Sequence, residues 1–370
     1  MIDRDRLIRL FTELVSIDSP SRGEREVCRC ISEKLRALGF DPKEDDVGEK
    51  IGGNTGCLYT YIEGSLPLPP LLFSAHMDTV EPSCGKKAVF HPDGKITSDG
   101  TTVLGADDLS GVCAILEALT ALKESGKPHR PLEILFDPAE ETYCAGIQQF
   151  DFKKLRSREA YILDLTGPVG SAALQAPAIL SYKAVFHGKA AHAAFSPEEG
   201  IHALKAAAEA VSAIDCGRIG DTTVNVGTIF GGSADNVVPE FCTVTGEVRS
   251  FSDESARSAL DRIRQQMECT AAHYGASLSF TTETLCLAFR VDAEEPVARR
   301  FQNACRELFL PGTLLSTYGG SDNNHFFQHG IRGLVAASGM NNCHSCSEYT
   351  SVSELMKASE LTLALMLRED

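Results

Sequence analysis

Five short polar stretches adjoin apolar segments of this 370-residue chain and carry side chains that can bind divalent cations. They supply two imidazoles, several carboxylates and one spare carboxylate that could act as a base. Imidazole and carboxylate ligands without thiolate suit zinc, and manganese or cobalt are also compatible. The set therefore predicts two adjacent divalent cations that activate a water for hydrolysis. In chain order, the stretches are His76–Met77–Asp78, Asp107–Asp108, Glu140–Glu141, Asp164 and His344.

Each stretch also has a more ordinary interpretation when it is taken alone. His76 could be a loop histidine, although an Asp two residues along an extended chain could hold the second ring nitrogen of a ligating histidine. Asp107 could cap a helix instead of bridging two cations. Glu140–Glu141 could be the acidic first turn of a helix instead of a base beside a ligand. Asp164 closes a short apolar run and is unspecific by itself.

His344 lies in a polar loop that contains the spacing Cys343–x–x–Cys346. These thiols could indicate half of a structural zinc site or a redox dithiol. A structural zinc site needs a second Cys/His pair at similar spacing, and the sequence offers none. A thioredoxin-like dithiol should open a helix directly after a strand. We therefore interpret His344 as a lone ligand with incidental thiols.

Strands alternating with helices must position these side chains. A helix is expected over residues 109–122, and the apolar runs predict buried strands at 71–75, 132–136 and 160–163. This alternation indicates an α/β fold with a mostly parallel sheet flanked by helices, in which ligands bind at the carboxyl ends of strands. The acidic stretches and His76 follow such ends. Helices are also expected over 4–16, 24–38 and 352–367, with Ser21 as N-cap of the second and Glu24 three positions later.

The pattern changes near residue 176. Strands and helices then follow in the order β-α-β-β-α-β, which indicates an inserted α+β domain of the ferredoxin-like type. These elements are expected at 179–187, 201–214, 223–229, 237–248, 254–273 and 277–281. We therefore predict a discontinuous catalytic domain (1–175 and 286–370) that is interrupted by a lid or dimerisation domain (176–285).

Composition excludes several classes of partner. With 35 basic and 51 acidic residues the net charge is −16, so nucleic acid and anionic membrane surfaces would be repelled. The 13 cysteines are scattered, and most lie inside apolar periodic segments, which is typical of reduced thiols. The amino terminus has no apolar targeting region, and no apolar run reaches 18 residues. We expect a soluble cytoplasmic protein that binds neither nucleic acid nor membrane.

The order of these motifs resembles that of the co-catalytic dizinc aminoacylase/carboxypeptidase superfamily, and within it the peptidase T-like (tripeptide aminopeptidase-like) branch. The similarity extends over nearly the whole chain. Besides the stretches above, it includes residues 99–106, 188–193, 231–239 and 320–322 and the spacing His344–x–x–x–Glu348.

The resemblance implies roles for the residues. One cation would be held by His76 and Asp164 and the other by Glu141 and His344, with Asp107 bridging. Glu140 would be the general base.

The resemblance also implies roles for a residue that orients a ligand and for residues of the smaller domain. Asp78 would orient His76. His192 would help to stabilise the oxyanion, in several relatives from a neighbouring subunit. Asn236 and Arg249 match positions that contact substrate termini, and the lid would mediate a homodimer.

The main functional hypothesis is a dinuclear metallo-aminopeptidase that acts on short peptides. An amidase acting on N-acyl amino acids is an alternative with the same chemistry, and a non-catalytic relative that binds peptide or metal is another. One departure from the family is Leu109, which occupies the position where relatives usually have a Lys after the bridging Asp.

Overall fold

The computed structural model describes all 370 residues. The chain divides into two compact units. The larger unit comprises Met1–Gln175, Arg290–Thr317 and Ser321–Asp370, and the smaller comprises Ala176–Phe289 and Tyr318–Gly320. The chain thus returns to the larger unit at Arg290, after a strand that runs through Cys286.

Helices and strands alternate through most of the chain. The helices are α1 (Arg4–Val15), α2 (Arg25–Ala37), α3 (Val47–Ile51), α4 (Ala106–Ser125), α5 (Ala145–Gln148), α6 (Ala203–Ser212), α7 (Asp253–His273), α8 (Pro296–Glu307), α9 (Asn323–Gln328) and α10 (Val352–Leu367). Two 3-10 helices cover Phe152–Lys154 and Pro197–Glu199.

The strands are β1 (Lys43–Glu44), β2 (Leu58–Ile62), β3 (Leu71–His76), β4 (Val89–Phe90), β5 (Lys95–Thr97), β6 (Leu132–Asp137), β7 (Glu159–Leu165), β8 (Ser171–Ala176), β9 (Ala178–His187), β10 (Gly217–Ile219), β11 (Thr222–Gly231), β12 (Phe241–Ser250), β13 (Ser277–Cys286), β14 (Phe289–Arg290), β15 (Thr313–Ser316), β16 (Arg332–Ala337) and β17 (Tyr349–Ser351).

A nine-stranded sheet forms the centre of the larger unit. Its order is β1-β2-β6-β3-β7-β16-β8-β14, and β15 also pairs with β8. The neighbouring strands β6, β3, β7 and β16 are parallel. Every residue of β3 and β6 is buried, because helices cover both faces of such a sheet. The predicted mostly parallel α/β architecture is confirmed.

Helix α4 carries one of the acidic stretches on its first turn. Asp107 and Asp108 have non-helical backbone angles (φ −84°, ψ 102° and φ −118°, ψ 33°), so regular helix begins at Leu109. Most of α4 is buried because it packs against β3 on one side and against α1 and α10 on others. Leu109 itself belongs to this apolar core.

The predicted N-cap of α2 is wrong. The N-cap is Glu24, which makes no side-chain capping bond. Ser21 Oγ instead donates to Asp78 Oδ2 at 2.6 Å, and Glu24 Oε1 accepts from the backbone N–H groups of Arg22 and Ala139. Hydrogen bonds to a buried carboxylate are stronger than a neutral cap, so these tertiary partners override the local signal.

The smaller unit is an antiparallel sheet with the order β10-β11-β12-β9-β13. Helices α6 and α7 pack on the sheet around a separate apolar core. The order β11-β12-β9-β13 is that of a ferredoxin-like sheet, as predicted. Strand β10 was not expected, because its three residues are all exposed and give no apolar signal. Across both units, the helices lack the combination of length and apolar character that crossing a bilayer requires.

Candidate metal centre

Two neighbouring parallel strands deliver the first ligands to one edge of the central sheet. His76 is the last residue of β3 and pairs in register with Asp137, the last residue of β6. Asp164 lies near the end of β7, the other neighbour of β3. Since the carboxyl ends of parallel strands meet at one edge, His76 Nε2 and Asp164 Oδ1 come within 3.7 Å of each other.

Asp107 lies between two imidazoles. Its Oδ1 is 3.1 Å from His76 Nε2, and its Oδ2 is 3.3 Å from His344 Nε2. The same His344 nitrogen is 2.9 Å from Glu141 Oε2. Each oxygen of one carboxylate therefore points towards a different imidazole, and each imidazole has a second carboxylate beside it. A carboxylate that bridges two cations requires this arrangement.

The mutual proximity of these groups perturbs their protonation strongly. Hydrogen bonds to Asp107 and Glu141 raise the pKa of His344 to about 10. Burial alone would lower the pKa of His76, but its bonds to Asp107 and Asp78 raise it well above the usual range. Burial opposes ionisation of Asp107, yet its bonds to both imidazoles hold its pKa below the usual value. Burial also raises the pKa of Asp164. Such shifts are typical of functional sites.

Asp78 fixes both His76 and the acidic loop. His76 Nδ1 lies 3.0 Å from the backbone carbonyl of Asp78 and 3.3 Å from its Oδ1. The same Oδ1 accepts the Glu140 N–H at 3.0 Å. Its Oδ2 accepts the Glu141 N–H at 3.2 Å and the Ser21 hydroxyl at 2.6 Å. Asp78 is fully buried. One carboxylate therefore sets the orientation of an imidazole and the backbone of the two neighbouring glutamates.

Glu348 performs a similar task on the other side of the cluster. Its two oxygens accept the Gly105 N–H at 2.7 Å and the Asp107 N–H at 2.8 Å. The side chain is 1% exposed and ties the loop of His344 to the start of α4. Sequence reasoning did not select Ser21 or Glu348 as site residues. For Glu348, the spacing His344–x–x–x–Glu348 was the signal that the sequence offered.

The donor set fits divalent cations. His76, Asp107 and Glu141 each offer a ligand atom, and these atoms all lie within 4.8 Å of one another. A second group of the same kind contains His76, Glu140 and Asp164. Glu141 Oε1 is buried and has no hydrogen-bond partner. Buried carboxylates normally have partners, and imidazole with carboxylate oxygen is a typical ligand combination for zinc and related metals.

Two departures from common patterns leave these contacts intact. Leu109 is buried in the apolar core next to α4's first turn and reaches none of the polar contacts described above. Burial raises the pKa of the Cys343 thiol far above its usual value, and neither Cys343 nor Cys346 is in a disulfide.

The remaining predicted residues lie in the smaller unit. His192 is exposed, and its Nδ1 accepts from the backbone N–H groups of Ala194 and Phe195. Asn236 is its neighbour, since its carbonyl accepts the Ala193 N–H at 3.0 Å. Arg249 is separate from this pair.

The Arg249 guanidinium is half-buried and already paired. It donates to both carboxylate oxygens of Glu247, at 2.8 and 3.2 Å, and to the carbonyl of Tyr318 at 3.0 Å. Any substrate carboxylate would therefore compete with Glu247 for this side chain.

Comparisons with known proteins identify the family and the fold. A model of Peptidase family M28 matches residues 60–213, and a model of the M20 peptidase dimerisation domain matches residues 177–275. Uncharacterized protein YqjE of Bacillus subtilis (strain 168) is 33% identical over 367 residues, covering 99% of both chains. Peptidase T of Pectobacterium carotovorum is 24% identical over 416 residues, covering 97% of this chain and 98% of that protein.

Two solved structures are similar over almost their full lengths. A tripeptidase from Staphylococcus aureus has a TM-score of 0.95 at 32% identity, covering 99% of this chain and 98% of that one. Aminopeptidase PepT from Bacillus cereus has a TM-score of 0.92 at 32% identity with the same coverage. The fold and the site define a metal-dependent peptidase of the M20 type. Within that class, the chain belongs to the peptidase T-like family.

Proposed function

We propose that this chain is a tripeptidase-like aminopeptidase that uses two divalent cations, with zinc as the expected metal. The observation that carries the proposal is the position of Asp107, whose two oxygens face two different imidazoles at 3.1 and 3.3 Å. A carboxylate whose two oxygens face different imidazoles is suited to bridging two cations. The similarity to a tripeptidase and to aminopeptidase PepT supports the substrate class.

The ligands divide into two groups around Asp107. His76 and Asp164 would hold one cation, and Glu141 and His344 would hold the other. The distances among these five side chains support the assignment. Bound divalent cations supply a lowered water pKa and polarisation of the peptide carbonyl.

Glu140 would serve as the general base. Its backbone is held by Asp78, and its side chain lies within the same group as His76 and Asp164. The carboxylate takes a proton from the attacking water and passes it to the leaving amine. Burial raises the pKa of the Glu140 carboxyl group well above its usual range, as is typical of a catalytic base.

The smaller unit would mediate homodimerisation. It matches the dimerisation-domain model and carries several large apolar side chains at its surface. Exposed apolar groups of this size often mark an interface. They are Phe195, Ile219, Ile229, Phe230 and Phe241, which are 84%, 49%, 45%, 78% and 53% exposed.

The same unit would contribute to substrate binding. We propose that His192 helps to stabilise the oxyanion and that Asn236 and Arg249 contact substrate termini. The exposure of His192 and its contact with the Asn236 segment support this pairing. A cytoplasmic location stays a prediction of the sequence.

The amidase alternative is less well supported. An amidase of the hydantoinase/carbamoylase family from Burkholderia multivorans shares the fold, but at 15% identity and a TM-score of 0.69. The two peptidase structures are 32% identical. A shared fold alone does not show which class of substrate a protein cleaves.

The test compares purified wild type with Glu140→Gln. Both are loaded with zinc, manganese or cobalt and assayed on tripeptides, dipeptides and N-acyl amino acids, while metal content is measured separately. We expect two metal ions per chain in both proteins, release of the amino-terminal residue from tripeptides by wild type, and loss of turnover in the variant. An undiminished rate in Glu140→Gln would exclude that base, and preferential cleavage of N-acyl amino acids would establish the amidase instead.

A further inference from the structure

A buried thiol and a buried carboxyl group adjoin Glu140. Cys144 Sγ lies 3.3 Å from Glu140 Oε1. The ligand-type atoms of Glu140, Cys144 and Asp322 all lie within 4.8 Å of one another. Cys144 is 4% exposed and Asp322 is 1% exposed. None of the roles proposed above uses Cys144 or Asp322, although both lie beside the Glu140 side chain.

The backbone holds the thiol in place. The Cys144 N–H donates to the carbonyl of Glu140 at 2.6 Å, and the Cys144 carbonyl accepts the Gln148 N–H at 3.1 Å. Cys144 has a φ of 57°, in the left-handed region that residues other than glycine seldom occupy. Such a conformation persists only where its surroundings fix it. The Cys144 side chain is therefore anchored beside the carboxylate four residues earlier.

Asp322 is the second carboxyl group beside the Cys144 thiol. It precedes α9, but its side chain makes no capping bond. Neither its Oδ1 nor the two carboxyl oxygens of Asp137 receive a hydrogen bond from an N–H or hydroxyl group. Asp322 instead contacts the carboxyl group of Asp137 and the thiol of Cys144.

The Cys144 thiol therefore has one hydrogen and two carboxyl acceptors, Glu140 and Asp322. We propose that Cys144 and Asp322 are positioning residues for Glu140. The thiol donates to the Glu140 carboxylate before that group takes the water proton, and it turns to Asp322 afterwards. The thiol keeps its hydrogen throughout, and the transferred proton passes only from water to Glu140 and on to the leaving amine. The inference rests on Glu140 acting as the base.

This exchange has a physical advantage. A carboxylate that gains a proton stops being a good acceptor, so a fixed donor would be left unsatisfied in a buried place. A donor with an alternative acceptor avoids that penalty in both states. The Glu140 side chain can therefore keep one orientation while its charge changes.

The experiment uses two pairs of variants in the metal-loaded full chain. Cys144→Ala removes the hydrogen and Cys144→Ser retains one. Asp322→Leu removes the second acceptor and Asp322→Asn retains a carbonyl. Cys305→Ala is the matched control, since Cys305 is a buried thiol on α8 and takes part in none of the contacts described for Cys144. All are assayed for kcat and KM on the same tripeptide, with metal content measured in parallel.

We expect kcat of Cys144→Ala to fall about ten-fold, with KM changed by less than about two-fold, because the Glu140 side chain loses the contact that keeps it in one orientation during the chemical step. Cys144→Ser and Asp322→Asn should recover most of the rate. Asp322→Leu should lower kcat several-fold alone but cause little further loss in the Cys144→Ala background, since residues that act through one another are non-additive. Cys305→Ala should retain the wild-type kcat.

Three results would overturn the inference. They are an unchanged kcat in Cys144→Ala, fully additive losses in the double variant, and a loss of metal content that accounts for the lower rate. Failure of the proposed function is a separate outcome, because it appears as full turnover by Glu140→Gln. An inactive Glu140→Gln together with a fully active Cys144→Ala would reject only the positioning role.

Discussion

Glu348 offers the sharpest test of how the metal centre is assembled. Its carboxylate is the acceptor for two buried backbone N–H groups, at Gly105 and Asp107. In Glu348→Ala both donors lose their partner inside the protein. An unsatisfied buried donor costs about 1–3 kcal/mol, so the free energy of unfolding should fall by about 2–6 kcal/mol.

The same substitution should weaken metal binding. The Asp107 N–H bond to Glu348 fixes the backbone from which the bridging carboxylate projects. Loss of an outer partner of a ligand typically reduces metal affinity about 10–100-fold. Glu348→Gln should have a smaller effect on stability, about 1–3 kcal/mol, because its carbonyl oxygen can still accept from one of the two N–H groups.

Two measurements check this prediction. Urea unfolding followed by circular dichroism gives the free energy of unfolding, and competition with a chromophoric chelator gives metal affinity. Glu360→Ala is the control, because Glu360 is an exposed residue of α10 and its replacement should change stability by no more than about 0.5 kcal/mol. If Glu348→Ala lost less than about 1 kcal/mol and kept its metal affinity, the claim that Glu348 holds Asp107 would be refuted.

Three further predictions concern neighbouring groups. Asp78→Asn should lower metal affinity about 10–100-fold, because an amide cannot accept from the two glutamate N–H groups and Ser21 while also facing His76. Competition with a chelator measures this affinity, and an unchanged value would contradict the prediction. Burial, with the charge of Asp78, raises the pKa of Glu24 from 4.5 to about 7, so its ionisation penalises the folded state increasingly as pH rises through that range. From pH 5 to pH 8, the free energy of unfolding of Glu24→Gln should therefore rise by about 2–3 kcal/mol relative to that of wild type. Urea unfolding measures this difference, and parallel pH profiles of the two proteins would reject the assignment. Chelation should lower the thermal midpoint and zinc should restore it, since a ligand at about 1,000 times its Kd stabilises a protein by about 4 kcal/mol; a midpoint insensitive to chelator would show that metal binding does not contribute to stability.

The strands at the centre of the larger unit could be predicted because burial on both faces leaves a continuous apolar run. The first polar residue after such a run marks the strand's end, which is why His76 and Asp164 stood out. Their convergence followed from a general property of parallel sheets. The helix Val352–Leu367 was predicted with the observed bounds, since its apolar residues recur at helical spacing.

Partners that are distant in sequence could not be predicted in the same way. Ser21 and Glu24 form a local pattern that is typical of a helix cap, yet both bind groups far along the chain, at Asp78 and Ala139. The bond from Asp107 to Glu348 spans 241 residues. No periodicity encodes such pairs, because their value depends on burial that only the folded chain creates.

The two ends of the smaller unit enter and leave the central sheet at neighbouring positions. Strands β8 and β14 are adjacent in that sheet, and the Val291 N–H donates to the carbonyl of Leu174 at 2.8 Å. A bridge of two or three residues, which spans up to about 10 Å, could therefore replace residues 177–288 and leave both strands complete. In this sense the architecture is modular, because most of the smaller unit is one insertion between two adjacent strands and could be gained or exchanged in a single genetic event.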